Sequence, residues 1–445
     1  MNRRQFHERN FRRRDFLHVG AIPLMGLTLP VLLASETARA ATIDRKAAKN
    51  IILVWLNGGP STIDMWDLKP NAKALIRGEF KPVSTSANGI DICEHLPLMA
   101  KQMDHCTLIR SVTHTIAEHT QGTEYVLTGN PISAATKYPS IGSIVASQVV
   151  PESGRKVPTY IDLSGFDLGD AGYLGASHNP FVVDRFQDQN VGKARGKSTD
   201  QFALPGGFTL NDLTRKRELL AGVERGFRRF EKTARADEML AFQTQAIDIL
   251  TAGKTRDALD VFAEKQTVIE RYGSTSFGLS ALAAKRLVQA GVRFVTIGMN
   301  GWDTHSQNFP QLRTDLLPRL DRALSTLIED LDAEGLLDET IVYSVGEFSR
   351  TPSINAQGGR DHWSRAMSVL VAGGGFKSGF AHGSTDNVGA EPESSRCSPA
   401  DVNATILNQI GIRPHTMLTT SSGRPMPLFR EASILTETIF VAKSI

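Results

Sequence analysis

Three cysteines, Cys93, Cys106 and Cys397, are all that 445 residues contain. So low and odd a number excludes a disulfide-built scaffold and a cysteine-rich zinc ribbon. An excess of one charge is also missing: 50 Lys and Arg face 47 Asp and Glu, a formal net charge of +3. A protein that works by neutralising nucleic-acid phosphates carries a clear basic excess, so nucleic acid is not an expected partner. Phosphate loops are absent: Gly58-Gly59-Pro60-Ser61 and Gly373-Gly374-Gly375 match neither G-x-x-x-x-G-K-[ST] nor G-x-G-x-x-G. The missing G-x-S-x-G elbow counts against an α/β-hydrolase. What remains is ordinary globular composition, 41% hydrophobic and 22% charged, long enough for one large domain or two of medium size.

The charge is concentrated at one end. Residues 1–40 hold seven arginines against three acids, and the other 405 residues hold 43 basic and 44 acidic side chains. Arg13-Arg14-Asp15-Phe16-Leu17 has the pattern of a twin-arginine export signal. The apolar run from Val19 to Ala34 contains Gly20, Pro23, Gly26 and Pro30, and is shorter than the ~20 residues a membrane span needs. Ala38-Arg39-Ala40 is an A-x-A cleavage site. Residues 1–40 are therefore expected to be a removable signal handled by the twin-arginine translocase. The mature chain, 41–445, is then periplasmic or extracellular, with no stable membrane span.

In the mature chain, Asn50–Leu56 is a continuous apolar run stopped by Asn57-Gly58-Gly59-Pro60, the pattern of a strand buried on both faces. Cys106–Val112, Pro158–Leu163, Val292–Ile297, Thr340–Val345 and Met367–Ala372 are further predicted strands. Helices are predicted at Glu118–Leu127, Ser280–Ala290 and Leu316–Glu334, and a charged helical insertion at about 208–275. Alternating strands and helices predict an α/β fold with a mainly parallel central sheet. The polar residues Asn57, His114, Asp303, His305, Glu347 and Arg350 follow predicted strands, where open α/β sheets bind ligands.

Two Asp/His pairs stand out. Asp303-Thr304-His305 and Asp361-His362, the latter preceded by Gly358-Gly359-Arg360, each offer a carboxylate and an imidazole suited to a divalent metal. Taken singly, each also reads as a solvated loop. His114 and His119 flank Glu118, as ligands, acid/base groups or surface histidines. His382 follows a glycine-rich strand exit and is a further candidate. Arg350 and Arg360 suit an anionic group held by forked hydrogen bonds, or a structural pairing with an acid such as Glu347.

The segments LNGGPSTIDMWDLKP, EHTQGTEYVLTGNP, AGYLGASHNPF, ERYGSTSFG, GWDTHSQN, GEFSRTPSIN and GGRDHW occur in this order. Together they resemble the exported bacterial family called domain of unknown function 1501, regarded as a branch of the alkaline phosphatase/sulfatase superfamily. The resemblance covers nearly all of the mature chain. It implies a three-layer α/β fold of alkaline-phosphatase type and one or two metal ions on strand ends. Asp361-His362 and Asp303/His305 resemble the superfamily's ligand groups, and Asn57 stands where a metal-binding Asp is usual, with Asp64 as a substitute. His119 falls where the nucleophile belongs, with the Thr120 hydroxyl one residue away. Asn403 stands where a His near Asp401 is expected. The implied activity is metal-dependent hydrolysis (Zn, Mn, Ca or Fe) of a small-molecule or polysaccharide phosphate or sulfate ester. Arg350 and Arg360 would hold the anion. The alternative is a non-catalytic binding or accessory member of the same fold at the cell surface or in the periplasm.

Overall fold

The computed structural model describes residues 48–149, 157–184, 186, 215, 253–420 and 422–439. The proposed signal, and all of the helical insertion before 253 except Arg215, lie outside the described residues.

Among the described residues, eight strands form the central sheet: β1 (Asn50–Leu56), β2 (Cys106–Val112), β3 (Tyr160–Asp162), β4 (Phe181–Val182), β5 (Phe294–Met299), β6 (Thr340–Val345), β7 (Met367–Gly373) and β8 (Phe380–His382). Their order is β8-β2-β7-β6-β1-β5-β3-β4. Every neighbouring pair is parallel except the two that β7 makes, with β2 and with β6. Seven strands therefore run one way and β7 alone runs the other.

β1 lies in the middle, and every residue of it is buried. Its side chains alternate between two hydrophobic clusters, as strand geometry requires. Ile52, Val54 and Leu56 share one with Leu282 and Leu287 of α3 (Ser276–Ala290) and with Leu320, Leu324, Leu327 and Leu331 of α4 (Leu317–Ala333). Ile51, Leu53 and Trp55 share the other with α1 (His119–Thr128), α2 (Ile141–Gln148) and α5 (Pro399–Gln409). This is the three-layer α/β arrangement with a mainly parallel sheet that the sequence led us to expect. Helices Gly253–Leu259 and Gln266–Tyr272 bury Leu259, Ile269 and Tyr272 in the first cluster, so this end of the expected insertion belongs to the helical layer. Among the described residues, no helix is long and apolar enough to cross a membrane. The three cysteines are free and buried.

Strand direction decides where polar residues collect. β1, β2, β5 and β6 end at one edge of the sheet, so the loops carrying Asn57, His114 to His119, Asp303 to His305, and Glu347 emerge side by side. Because β7 is antiparallel, it starts at that same edge. His362, five residues upstream of Met367, is delivered there by a short ribbon in which His362 pairs with Arg350 and Trp363 with Ser349.

One buried ion pair fastens three of these loops. The Arg360 guanidinium donates to both oxygens of Asp64, Nε to Oδ2 and Nη2 to Oδ1, each at 2.8 Å. Asp64 also accepts from Ser61 Oγ at 2.7 Å and from Asn308 Nδ2 at 2.9 Å. Asn308 in turn accepts from Thr304 Oγ1 at 2.6 Å. Arg360 is fully buried and also donates to the carbonyls of Thr351, Pro352 and Ile76.

Removing one partner of such a pair strands a buried charge. Arg360→Leu is expected to cost about 3–5 kcal/mol, and the double change with Asp64→Leu to recover most of it. Unfolding midpoints in urea check this, and equal losses in single and double variants would contradict it. A second outcome concerns Asp162, which is buried and accepts from the Ser164 backbone N–H at 2.7 Å. Burial pushes its carboxyl from an ordinary 3.8 up to about 6. The folded chain thus holds this proton more tightly than the unfolded one, and the resulting stability is lost as pH rises through about 6. Asp162→Asn is expected to remove a pH-dependent loss of at most about 3 kcal/mol between about pH 4 and pH 7, read as a flattened profile of unfolding midpoint against pH.

Candidate metal centre

Four side chains meet at the sheet edge: His119, His305, His362 and Asp303. His119 opens α1, whose N-cap Glu118 accepts from the backbone N–H groups of Thr120 and Gln121. Asp303 and His305 lie on the loop after β5, held by the fully buried Trp302 just before them. Two glycines permit the close packing. A Cβ on Gly58, which has φ +114°, would lie 2.6 Å from the Asp303 nitrogen. One on Gly359 would lie 2.1 Å from the His305 carbonyl carbon. Neither position tolerates a side chain without moving the loop beside it.

The imidazoles are oriented from behind. His305 Nδ1 is 2.7 Å from Asp361 Oδ1, His362 Nδ1 is 2.9 Å from the Ala117 carbonyl oxygen, and His119 Nδ1 is 2.6 Å from Glu347 Oε1. Each partner is an acceptor for an Nδ1 proton, and a neutral ring in that tautomer turns the lone pair of Nε2 towards Asp303. His305 Nε2 and His362 Nε2 are 2.9 Å apart, and Asp303 Oδ1 lies 3.1 Å from the first and 3.2 Å from the second. His119 Nε2 is 3.5 Å from Asp303 Oδ2. His119, Asp303 and His362 form a group able to hold a metal ion, with ligand atoms all within 4.8 Å of one another. Lone pairs packed this closely repel unless a cation lies among them, and the donor set, imidazole nitrogen with one carboxylate, fits a divalent metal. Each imidazole backed by an acceptor on its other nitrogen is the usual support for metal-binding histidine.

Electrostatics follow the contacts. The hydrogen bond to Glu347 raises the His119 pKa above the ordinary value, aided by the charges of Glu347 and Asp303. Burial lowers that of His362. Burial pushes Asp303 upward, but the hydrogen bond and charge of Arg350 outweigh it and keep the carboxyl below its usual range. The hydrogen bond from His305 lowers Asp361. Phe348 lies against two of the rings, at centroid distances of 5.1 Å from His119 and 4.5 Å from His362.

Several residues take different places from those expected. Asp361 faces His305 Nδ1 and Asn355, behind the ring rather than at the centre. Adjacent residues of an extended segment point opposite ways, so Asp361 and His362 do not face one point. Asn57 accepts from Trp55 Nε1 and donates to Asn300 Oδ1, each at 3.2 Å. Asp64 is committed to Arg360, so it does not replace Asn57 as a ligand. Arg360 holds Asp64, and Arg350, 1% exposed, donates to Asp303 and to the carbonyls of Gly58, Gly59 and Arg360. Neither guanidinium is free to grip an anion. Thr120 is exposed and hydrogen-bonded to Glu118. His114 is buried, takes the Ile116 N–H on Nδ1, and is pushed down to about 4 by burial. His382 sits in edge strand β8 opposite Ile109, and Asn403 ties α5 to the Val126 carbonyl of α1. The sequence reading missed the link from Glu347 to His119. Its only sequence signal was a carboxylate just past the end of β6.

No curated protein matches the chain. Among solved structures, the PsFucS1 sulfatase from Pseudoalteromonas sp. is 12% identical, with 86% of this chain and 70% of that one covered, at a TM-score of 0.34. The phosphonate monoester hydrolase from Silicibacter pomeroyi is 10% identical, with 89% and 77% covered, at 0.31. The TAB5 alkaline phosphatase with bound Mg is 13% identical, with 83% and 99% covered, at 0.35. Residues 48–439 match the family described as Protein of unknown function (DUF1501), and the chain belongs to that family.

Proposed function

We propose that the protein is an exported metal-dependent hydrolase acting on a phosphate or sulfate ester. The observation that carries this reading is the convergence of three imidazole Nε2 atoms on Asp303, each ring fixed from behind by an acceptor at Nδ1. His119, His305, His362 and Asp303 would hold the ion. The nitrogen-rich donor set favours Zn, Mn or Fe over Ca, which takes six to eight oxygen ligands. A divalent cation there supplies Lewis-acid polarisation of an ester oxygen and activation of water at neutral pH. Arg350 keeps Asp303 ionised and aimed, and Phe348 shields one side of two rings from water. With Thr120 turned to Glu118, no side-chain hydroxyl is assigned as nucleophile, and the reading is direct attack by water.

The commitment of both arginines favours a second reading, a non-catalytic surface or periplasmic member of the family that binds metal without turnover. Metal analysis of the purified mature protein separates the cases. Near-stoichiometric Zn, Mn or Fe is expected, removed by a chelator and restored by the ion. Asp303→Ala and His362→Ala are each expected to lower metal content and to cut turnover of aryl phosphates or sulfates in proportion to the metal lost. Substoichiometric metal overturns both readings. Bound metal with no turnover leaves the second.

Export is part of the proposal. Replacing Arg13 and Arg14 by Lys is expected to retain full-length protein in the cytoplasm. The unaltered chain is expected outside it with a new N-terminus after Ala40. Fractionation and N-terminal sequencing read both, and export unaffected by the double change would refute the signal.

A further inference from the structure

Glu347 differs from the other two groups behind the imidazoles. Asp361 is exposed, and Ala117 contributes a neutral carbonyl. Glu347 is a carboxylate only 1% exposed. Its Oε1 accepts from the Gly58 N–H at 2.9 Å and lies 2.6 Å from His119 Nδ1. Its Oε2 is buried with no hydrogen-bond partner. The first turn of α1 closes over it: a Cβ on Gly122 would come within 3.4 Å of the Glu347 Cβ and carbonyl oxygen. Burying a carboxylate with one oxygen unsatisfied is costly, and a merely packing residue at this position would be cheaper if apolar. Among the described residues, the His119 ring is the one side chain that meets this carboxylate in a hydrogen bond, and the charge of Arg350 acts on it from farther away.

We infer, on the reading that His119 is a metal ligand, that Glu347 is the positioning residue that governs how tightly the centre retains its ion. Its charge holds the proton on His119 Nδ1, leaves Nε2 bare towards Asp303, and pushes electron density through the ring towards the ion. Gly58 is its second attachment, so the turn after β1 contributes to the centre through Glu347 rather than through Asn57.

The test uses zinc as probe, in competition with a chromophoric chelator, on the full mature chain. Glu347→Gln keeps an acceptor oxygen for Gly58 and His119 but removes the charge. It is expected to weaken zinc binding 10–100-fold. The same change in a His119→Ala background is expected to have no further effect, because the path runs through that ring. A purely structural role would weaken binding by the same factor in both backgrounds, and that result overturns the inference, as does equal affinity in Glu347→Gln and the unaltered chain. If Glu347→Gln does not fold, Glu347→Asp, which draws the carboxylate back from the ring, carries the same test with the same outcomes. Absence of zinc binding by the unaltered chain instead overturns the metal reading, and this inference with it.

Discussion

The buried pair between Asp64 and Arg360 is the constraint on which the sheet edge depends. Three loops from distant parts of the chain must lie within hydrogen-bonding distance of one another, and loops are costly to order. Asp64 fixes the segment after β1, Asn308 the segment after β5, and Arg360 the segment that precedes His362. With their side-chain polar atoms satisfied by one another and by backbone carbonyls, the three segments are tied together. Such a pair is a weak source of net stability but a strong penalty against any arrangement that separates its members.

On that support, the site is assembled by direction. Parallel strands place their ends together, and the single reversed strand brings a residue upstream of its start to the same edge. His362 could not join Asp303 if β7 ran with the others, because its approach would then come from the opposite side of the sheet. The second requirement is orientation of the rings. Three Nδ1 atoms face acceptors on Asp361, Ala117 and Glu347, so the three Nε2 atoms and the Asp303 carboxylate share the inward face, with Arg350 donating to Asp303. A face built in that way selects for positive charge.

Legibility varied with the range of the interaction. β1, β2 and β6 were readable to the residue, because each is a short, mostly apolar stretch rich in Ile, Leu and Val, as a strand buried on both faces requires. α1 was readable within one residue from Glu118, whose carboxylate caps it, and from the Gly129 stop. The ribbon that carries His362 was not, since two-residue strands have no period. α5 was not either, although Ser398 and Asp401 form a capping box at its start. At the site, residue types were informative and partners were not. Arg350 and Arg360 read equally as anion binders or as structural partners of an acid, because a guanidinium looks the same whether it faces a ligand or a buried carboxylate. Asp361 read as a ligand beside His362 on the condition that the backbone turns after Gly358-Gly359, and in the structure its carboxylate lies at His305 Nδ1.

By itself the sequence determined the layered fold, the family, and the supply of imidazole and carboxylate at strand ends, since these rest on local pattern and on residue chemistry. Only the tertiary structure decided which nitrogen of each ring faces inward, which arginine holds which acid, and that Glu347 rather than Asn57 links the turn after β1 to the centre. Those outcomes depend on contacts between segments hundreds of residues apart, where a shift of an ångström or the turn of a ring decides between ligand and support. No spacing along the chain encodes that.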